Sequence, residues 1–222
     1  LFTGLSLARK GFDVTLFERD VPPPEGNAEE AFFSWQRRGA AQFRHPHAFL
    51  GLMCSVLGEK YPDLLDELLA AGARKLTFED MVPDHLRDQY QPEAGDEKLW
   101  MLLCRRATIE TVLRHYVARE SNLRIQSQTY VTDVLVEEGQ SVQGEPTLTV
   151  TGLELTDRHN QNAKSTHSAD VIVNASGRAD KFYQWLQHKG ADIIEQRDDA
   201  EIVYYTRHLS LIHISEPTRP YW

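Results

Sequence analysis

The stretch from Leu1 to Asp20 narrows the fold more than any other part of the chain. Apolar residues recur at helical spacing from Leu1 to Lys10, and Gly11 stands where such a helix would stop. Val14 to Phe17 then runs apolar as a short strand that ends on Glu18. A helix followed by a tight turn, a strand and an acidic residue is the second half of a dinucleotide-binding unit, in which a carboxylate accepts hydrogen bonds from both ribose hydroxyls. On Glu18 alone, an ordinary surface glutamate at a strand end is the favoured reading.

The glycine spacing sharpens the expectation. Three glycines in the full fingerprint let the chain turn tightly and approach a pyrophosphate at a helix start. With Gly11 and Glu18 aligned to that pattern, Gly4 takes the small position where helix packs on strand. Leu1 then falls just after the third fingerprint glycine, so the expectation is that the first strand and glycine loop lie upstream of this sequence.

Further along, Val21-Pro-Pro-Pro-Glu-Gly-Asn27 reads as a loop, since its prolines donate no backbone hydrogen bonds. Ala48 to Leu57 reads as a helix, and Pro62 suits the first turn of another that runs through Leu69 to Gly72. Leu76 to Phe78 and Leu99 to Leu103 read as strands around a polar excursion. Thr108 to Val117 is an amphipathic helix with Ile109, Val112, Leu113 and Tyr116 on one face. Three alternating strands are expected from Leu123 to Leu155, and a polar turn or loop from Asp157 to Ser168. An apolar strand is expected at Val171 to Val173, leading into Asn174-Ala-Ser-Gly-Arg178 and a helix through Leu186; Ile202 to Tyr205 begins another strand. Strand-helix units with a β-rich insert make an α/β fold.

Composition excludes some functions. The net charge of -9 repels phosphate backbones, so no nucleic-acid partner is expected. No apolar run reaches the ~20 residues of a membrane helix, and the front has no signal-peptide pattern. The two cysteines, Cys54 and Cys104, stand apart and form neither a disulfide framework nor a metal motif, which points to buried thiols in a reducing, cytoplasmic setting. His45 and His47 flank a proline without a third ligand, so no metal is expected there.

Four segments taken in order resemble the flavoprotein monooxygenase family, particularly its bacterial FAD-dependent oxidoreductases. They are Leu1 to Asp20, Trp35-Gln-Arg-Arg-Gly-Ala-Ala-Gln-Phe-Arg-His-Pro-His-Ala-Phe-Leu50, Cys104-Arg-Arg-Ala-Thr-Ile-Glu-Thr-Val-Leu-Arg114, and Val171-Ile-Val-Asn-Ala-Ser-Gly-Arg178. The resemblance extends from Leu1 to about Arg207. It implies FAD as cofactor, NAD(P)H as a candidate electron donor, and oxidation of a small, largely apolar organic substrate.

It also implies roles for particular residues. Glu18 would bind the adenosine ribose and Arg37 the pyrophosphate, for which its fork of donors is suited. Arg106 would open a helix whose side chain and N-terminus both favour an anion. Val131 would make a main-chain contact to adenine, and Gly177 would let the chain approach the cofactor closely. Classical aromatic hydroxylases of the family carry Asp-Gly where this chain has Ser176-Gly177, which weakens the case for direct NADPH recognition.

The expected architecture is a Rossmann-like FAD-binding domain with a β-rich insert and the start of a substrate domain. Residues 1–75 and 106–198 would form the FAD-binding parts, 76–105 an excursion contributing to the substrate domain, and 199–208 the start of that domain. Residues 209–222 match nothing in the resemblance and read as a non-native tail. On this reading the chain is a fragment that, by itself, binds FAD weakly or not at all and is inactive. Three rivals stay open: an FAD-dependent reductase of isoprenoid double bonds, for which the Ala-Ser-Gly turn speaks, a nicotinamide-dependent dehydrogenase without flavin, and a non-enzymatic relic. Substrate identity and oligomeric state are not legible.

Overall fold

Gly11 ends the first helix, as its spacing predicts. In the computed structural model of the protein, which describes residues 1–40, 42–140, 143–177, 181–194 and 196, helix α1 spans Phe2–Ala8 and Gly11 takes a left-handed φ of 91°. That conformation costs glycine little and returns the chain toward strand β1, Val14–Phe17. Gly4 lies flat against the strand: a Cβ there would come within 3.0 Å of the Leu16 side chain. The helix-on-strand role expected for Gly4 is therefore borne out.

The remaining elements follow in order: α2 (Ala28–Ser34), β2 (Pro46–Phe49), α3 (Gly51–Lys60), α4 (Pro62–Ala70), β3 (Arg74–Thr77), α5 (Phe78–Met81), β4 (Trp100–Arg105) and α6 (Arg106–Val117). After these come β5 (Leu123–Gln126), β6 (Thr129–Gln140), β7 (Pro146–Asp157), β8 (Ala163–Ser168) and α7 (Phe182–His188). Among the described residues β1 pairs in parallel with β5, from Val14 opposite Leu123 to Phe17 opposite Gln126. The antiparallel order β2-β4-β3 forms a second sheet and β6-β7-β8 a third. The mixed α/β class expected from sequence is what the protein adopts.

The main core joins these units. Leu5 of α1, Leu57 of α3, Leu64 and Leu68 of α4, Leu102 of β4, Val117 of α6 and Leu123 of β5 belong to one buried cluster. Asn122 fixes the register of α1 on β5, its side-chain amide donating to the carbonyls of Ala8 (2.8 Å) and Phe12 (2.9 Å). A smaller cluster around Trp35 and Phe43 seats the α2 region on Ala107 of α6. A third, around Val134, Leu153 and Leu155, is packed by Phe17 and by Phe182, Trp185 and Leu186 of α7.

Several local expectations differ from the structure. The helix read at Ala48 begins at Gly51, because Pro46–Phe49 pairs with β4 as an edge strand that opens on Pro46, a position that tolerates a proline. The strand expected through Phe78 stops at Thr77, whose hydroxyl caps α5 in a reciprocal box with Asp80. Residues 157–168 hold more than a loop: β8 has no apolar periodicity and is held by its ladder to β7. Val171 to Val173 forms no strand, and Val171 is 71% and Val173 54% exposed. An apolar run becomes a strand only beside a pairing partner, and no described residue pairs with this one. Helix α2, absent from the sequence reading, is capped by Asn27, whose Oδ1 accepts from the N–H groups of Glu29 and Glu30 at 3.0 Å each. The expected strand at Ile202 to Tyr205, the segment 199–208 and the tail 209–222 lie outside the described residues.

The core predicts where truncation hurts. Leu64 is 0% exposed and Leu52 is 82% exposed. Leu64→Ala is expected to cost about 3 kcal/mol in urea unfolding, whereas Leu52→Ala stays within about 0.5 kcal/mol of the parent.

Candidate functional site

The carboxyl end of β1 is tied on both sides before any side chain acts. The Glu18 N–H donates to the Gln126 carbonyl (2.9 Å), and the Glu18 carbonyl accepts from the Thr129 N–H (3.0 Å). Two residues on, the Asp20 carbonyl accepts from the Gln128 N–H (3.1 Å). Glu18 and Asp20 are thereby fixed beside the turn between β5 and β6.

Their carboxylates converge on one guanidinium. Arg37 Nη1 donates to Asp20 Oδ2 (3.0 Å) and forms an ion pair with Glu18 Oε2 (2.7 Å), and Arg37 Nε donates to Glu110 Oε2 (2.9 Å). The other Glu110 oxygen accepts from Arg106 Nε at 2.8 Å, one helical turn away on α6. Glu18, Arg37 and Arg106, three of the residues singled out by sequence, are thus joined in one network. Arg37 Nη2 makes no hydrogen bond among the described residues.

Aromatic stacking adds to the pairing. The Arg37 guanidinium lies over the Trp35 ring at 5.1 Å and that of Arg114 over the same ring at 5.7 Å. Trp35 is fixed in turn by its Nε1–H, which donates to the Val21 carbonyl at 2.9 Å. Arg114 Nη2 donates to Ser127 Oγ at 2.6 Å, just beyond the end of β5.

Titration behaviour follows from this arrangement. Burial pushes the Glu18 carboxyl up, but the Asp20 N–H and the Arg37 guanidinium outweigh it and hold the group below its ordinary value of 4.5. Burial pulls Arg37 down, yet Glu110 and Glu18 raise it above its ordinary value. Arg114 is lowered, chiefly by burial.

Next to the network opens a cleft of about 370 Å³, lined by Trp35, Arg37, Arg38, Phe43, Arg44 and His45 among others. Three arginine side chains line it beside two nearly buried aromatic rings, and their guanidiniums suit an anion. The start of α6 is not open to a ligand in the way expected: the Arg106 N–H donates to the His45 carbonyl and the Ala107 N–H to the Phe43 carbonyl, each at 3.2 Å. What Arg106 can offer an anion is therefore its side chain.

The other expected residues lie apart from the ion-pair network. Val131 sits on β6 opposite Leu155, at a register irregularity, and packs on the cluster that contains Phe17. Ser176 and Gly177 occupy an exposed turn in which Ser176 N–H donates to Asn174 Oδ1 (3.1 Å) and Gly177 has a φ of 89°. No hydrogen bond or ion pair among the described residues links them to Glu18. Asp20, Glu110, Trp35 and Arg114 escaped the sequence reading, although Arg106 and Glu110 stand at i,i+4, a spacing that pairs side chains on a helix. Both cysteines are buried, as expected. Among the described residues no cluster could hold a metal ion, and no helix is long and apolar enough to cross a membrane.

An α-helix crossing onto a parallel strand pair, with an acidic residue at the strand's carboxyl end, defines an α/β dinucleotide-binding class. The chain belongs to the FAD binding domain family, whose model matches residues 6–196. Among solved structures the fold resembles PqsL, a probable FAD-dependent monooxygenase from Pseudomonas aeruginosa, with 14% identity and a TM-score of 0.51. That match covers 88% of this chain and 43% of PqsL. A substituted form of PqsL gives 15% identity and a TM-score of 0.52 over 88% of this chain and 44% of that one. THI4 of Thermovibrio ammonificans matches at 18% identity and a TM-score of 0.47, over 84% of this chain and 57% of that one. The chain therefore spans between 43% and 57% of the length of these structures. Among curated proteins none matches.

The depressed Glu18 carboxyl has a consequence for acid stability. A carboxylate whose folded pKa lies below its unfolded value stabilises fully above the unfolded value and loses that contribution as pH falls through the folded one. Between pH 6 and pH 3, Glu18→Gln is expected to lose less unfolding free energy than the parent. Urea titrations at several pH values measure this, and parallel losses would show that the Arg37 pair does not hold Glu18 ionised.

Proposed function

We propose that the protein is part of an FAD-dependent oxidoreductase whose whole is a monooxygenase inserting oxygen into a small, apolar organic substrate. The observation that carries this is the meeting of Glu18, Arg37 and Arg106 beside an aromatic, cationic cleft, in a chain of the FAD binding domain family. The donor set fits the group. A carboxylate at the strand end suits ribose hydroxyls, and guanidinium forks suit a pyrophosphate.

FAD, when bound, would supply the two-electron redox and oxygen chemistry of the reaction. The chain's own residues bind and orient. Glu18 accepts from the ribose, Arg37 presents Nη2 to the pyrophosphate, and the Arg106 side chain adds positive charge from α6. The backbone at Val131 meets the adenine. Gly177 allows close approach, because a side chain is disfavoured at its φ of 89°, and Ser176 belongs to the same turn. Residues 1–75 and 106–198 form the FAD-binding parts in this reading, and 76–105 contributes to the substrate side. A cleft of about 450 Å³ in that excursion, lined by Phe78, Met81, Pro83, Leu86 and Tyr90, supports an apolar substrate. NAD(P)H is a candidate electron donor, and Ser176-Gly177 in place of Asp-Gly speaks against its direct recognition by this turn.

The Ala-Ser-Gly turn supports a second reading, reduction of isoprenoid double bonds. Oxygen uptake coupled to turnover in a protein extended to the length of its structural relatives separates the two. The chain by itself is proposed to be inactive and to bind FAD weakly or not at all.

Titration of the purified chain with FAD, followed by flavin fluorescence, tests the cofactor assignment. Saturable binding with a Kd of roughly 10 μM to 1 mM is expected, weakened about tenfold by Glu18→Gln, a loss near 1.4 kcal/mol. An unchanged Kd in the variant would remove the assignment; where the chain alone shows no saturation, the same comparison in a protein extended to the length of its structural relatives decides it.

A further inference from the structure

Asp20 is only 6% exposed, and no role falls to it in the scheme above. Its Oδ2 accepts two hydrogen bonds from one loop, from Arg37 Nη1 at 3.0 Å and from the Gly39 N–H at 2.9 Å. Its own N–H donates to Glu18 Oε1 (3.0 Å), and its carbonyl takes the Gln128 N–H (3.1 Å). One buried residue thus links the end of β1, the cleft-lining loop and the start of β6. The fit is close: a Cβ on Gly39 would stand 3.3 Å from Asp20 Oδ2.

We propose that Asp20 is a positioning residue that holds the Arg37 guanidinium and the Gly39 peptide in the geometry that receives the cofactor's pyrophosphate. The proposal rests on the FAD reading of the site. Asp20 does not touch the ligand, since its carboxylate is buried and occupied and its charge would repel a phosphate. It acts through Arg37. The Nε edge of that guanidinium is held by Glu110 and one terminal nitrogen by Asp20 and Glu18. With two sides of a planar fork fixed, the direction of Nη2 is fixed too.

Charge and positioning make opposite predictions, which makes the role testable. If Asp20 acted only through its field, removing its negative charge would tighten binding of an anion. If it positions, loss of the bridging oxygen weakens binding, and asparagine, which keeps an acceptor oxygen, restores it. In FAD titrations Asp20→Ala is expected to raise Kd about tenfold, while Asp20→Asn stays within about threefold of the parent. The Asp20→Ala loss shrinks when Arg37 is already alanine, because the two act in series. Asp20→Ser is polar but too short to bridge both donors, and it carries the same expectation if Asp20→Ala cannot be purified.

Equal or tighter FAD binding by both Asp20→Ala and Asp20→Asn would overturn the proposal. So would a loss of the same size with and without Arg37. The Arg37 Nε–H resonance of nitrogen-15-labelled protein reports on the positioning without any ligand. It is expected to be sharp and slowly exchanging in the parent and in Asp20→Asn, and broadened in Asp20→Ala or Asp20→Ser. Where the chain alone binds no FAD, this pattern still identifies Asp20 as the residue that orders Arg37, and the same titrations in a protein extended to the length of its structural relatives decide the pyrophosphate role. A resonance unchanged in the truncated variants removes the positioning role.

Discussion

A guanidinium whose side chain is 11% exposed needs compensating charge, and most of the site follows from how Arg37 obtains it. Desolvating a cation costs several kcal/mol, which only close, well-oriented anions recover. Here those anions come from two places far apart in sequence: Glu18 and Asp20 at the end of β1, and Glu110 on α6. Such a cluster contributes little net stability compared with an apolar replacement, but it restricts geometry strongly. A planar fork that donates from two edges to three carboxylates has few alternative arrangements, so the loop, the strand end and α6 must keep their mutual positions.

The same pairing defines what a ligand meets. Glu18, Asp20 and Glu110 face Arg37, Arg106 and Arg114, so carboxylates and guanidiniums are equal in number in this network. An incoming pyrophosphate would find no large unbalanced positive field there; it would find oriented donors, with Arg38, Arg44 and His45 on the adjoining cleft wall. Glu18 already accepts from Arg37 and from the Asp20 N–H, but a carboxylate has about four lone-pair sites. Ribose hydroxyls can therefore join the arrangement without breaking it.

What was legible in the sequence is what local chemistry determines. Gly11 and Gly4 declare a turn and a close packing contact, and Glu18 marks the strand end, because each depends on its immediate neighbours. Arg37 and Arg106 were legible through a resemblance between segments. Asp20 and Glu110 were not, since their roles exist only when β1, the 35–44 loop and α6 meet. The strand β8 was hidden for a related reason: its residues are polar on both faces, and only the ladder to β7 specifies it. Val171 to Val173 shows the converse, an apolar run that suits a strand yet has no partner among the described residues.

The location of the network gives an argument for ligand binding that is independent of any resemblance. In α/β folds the carboxyl ends of parallel strands are where chain and side chains open toward a ligand. Here β1 ends at Phe17 and β5 at Gln126, side by side in register. Glu18 and Asp20 leave the first end; Ser127, which receives Arg114, leaves the second. The two strand ends thus converge on one buried patch of ionised groups, held together by Arg37 and stacked on Trp35. Burying so many charges at one strand end is costly even when they are paired, and in the proposed function that arrangement would present donors and acceptors in fixed directions to a dinucleotide carrying hydroxyls and phosphates.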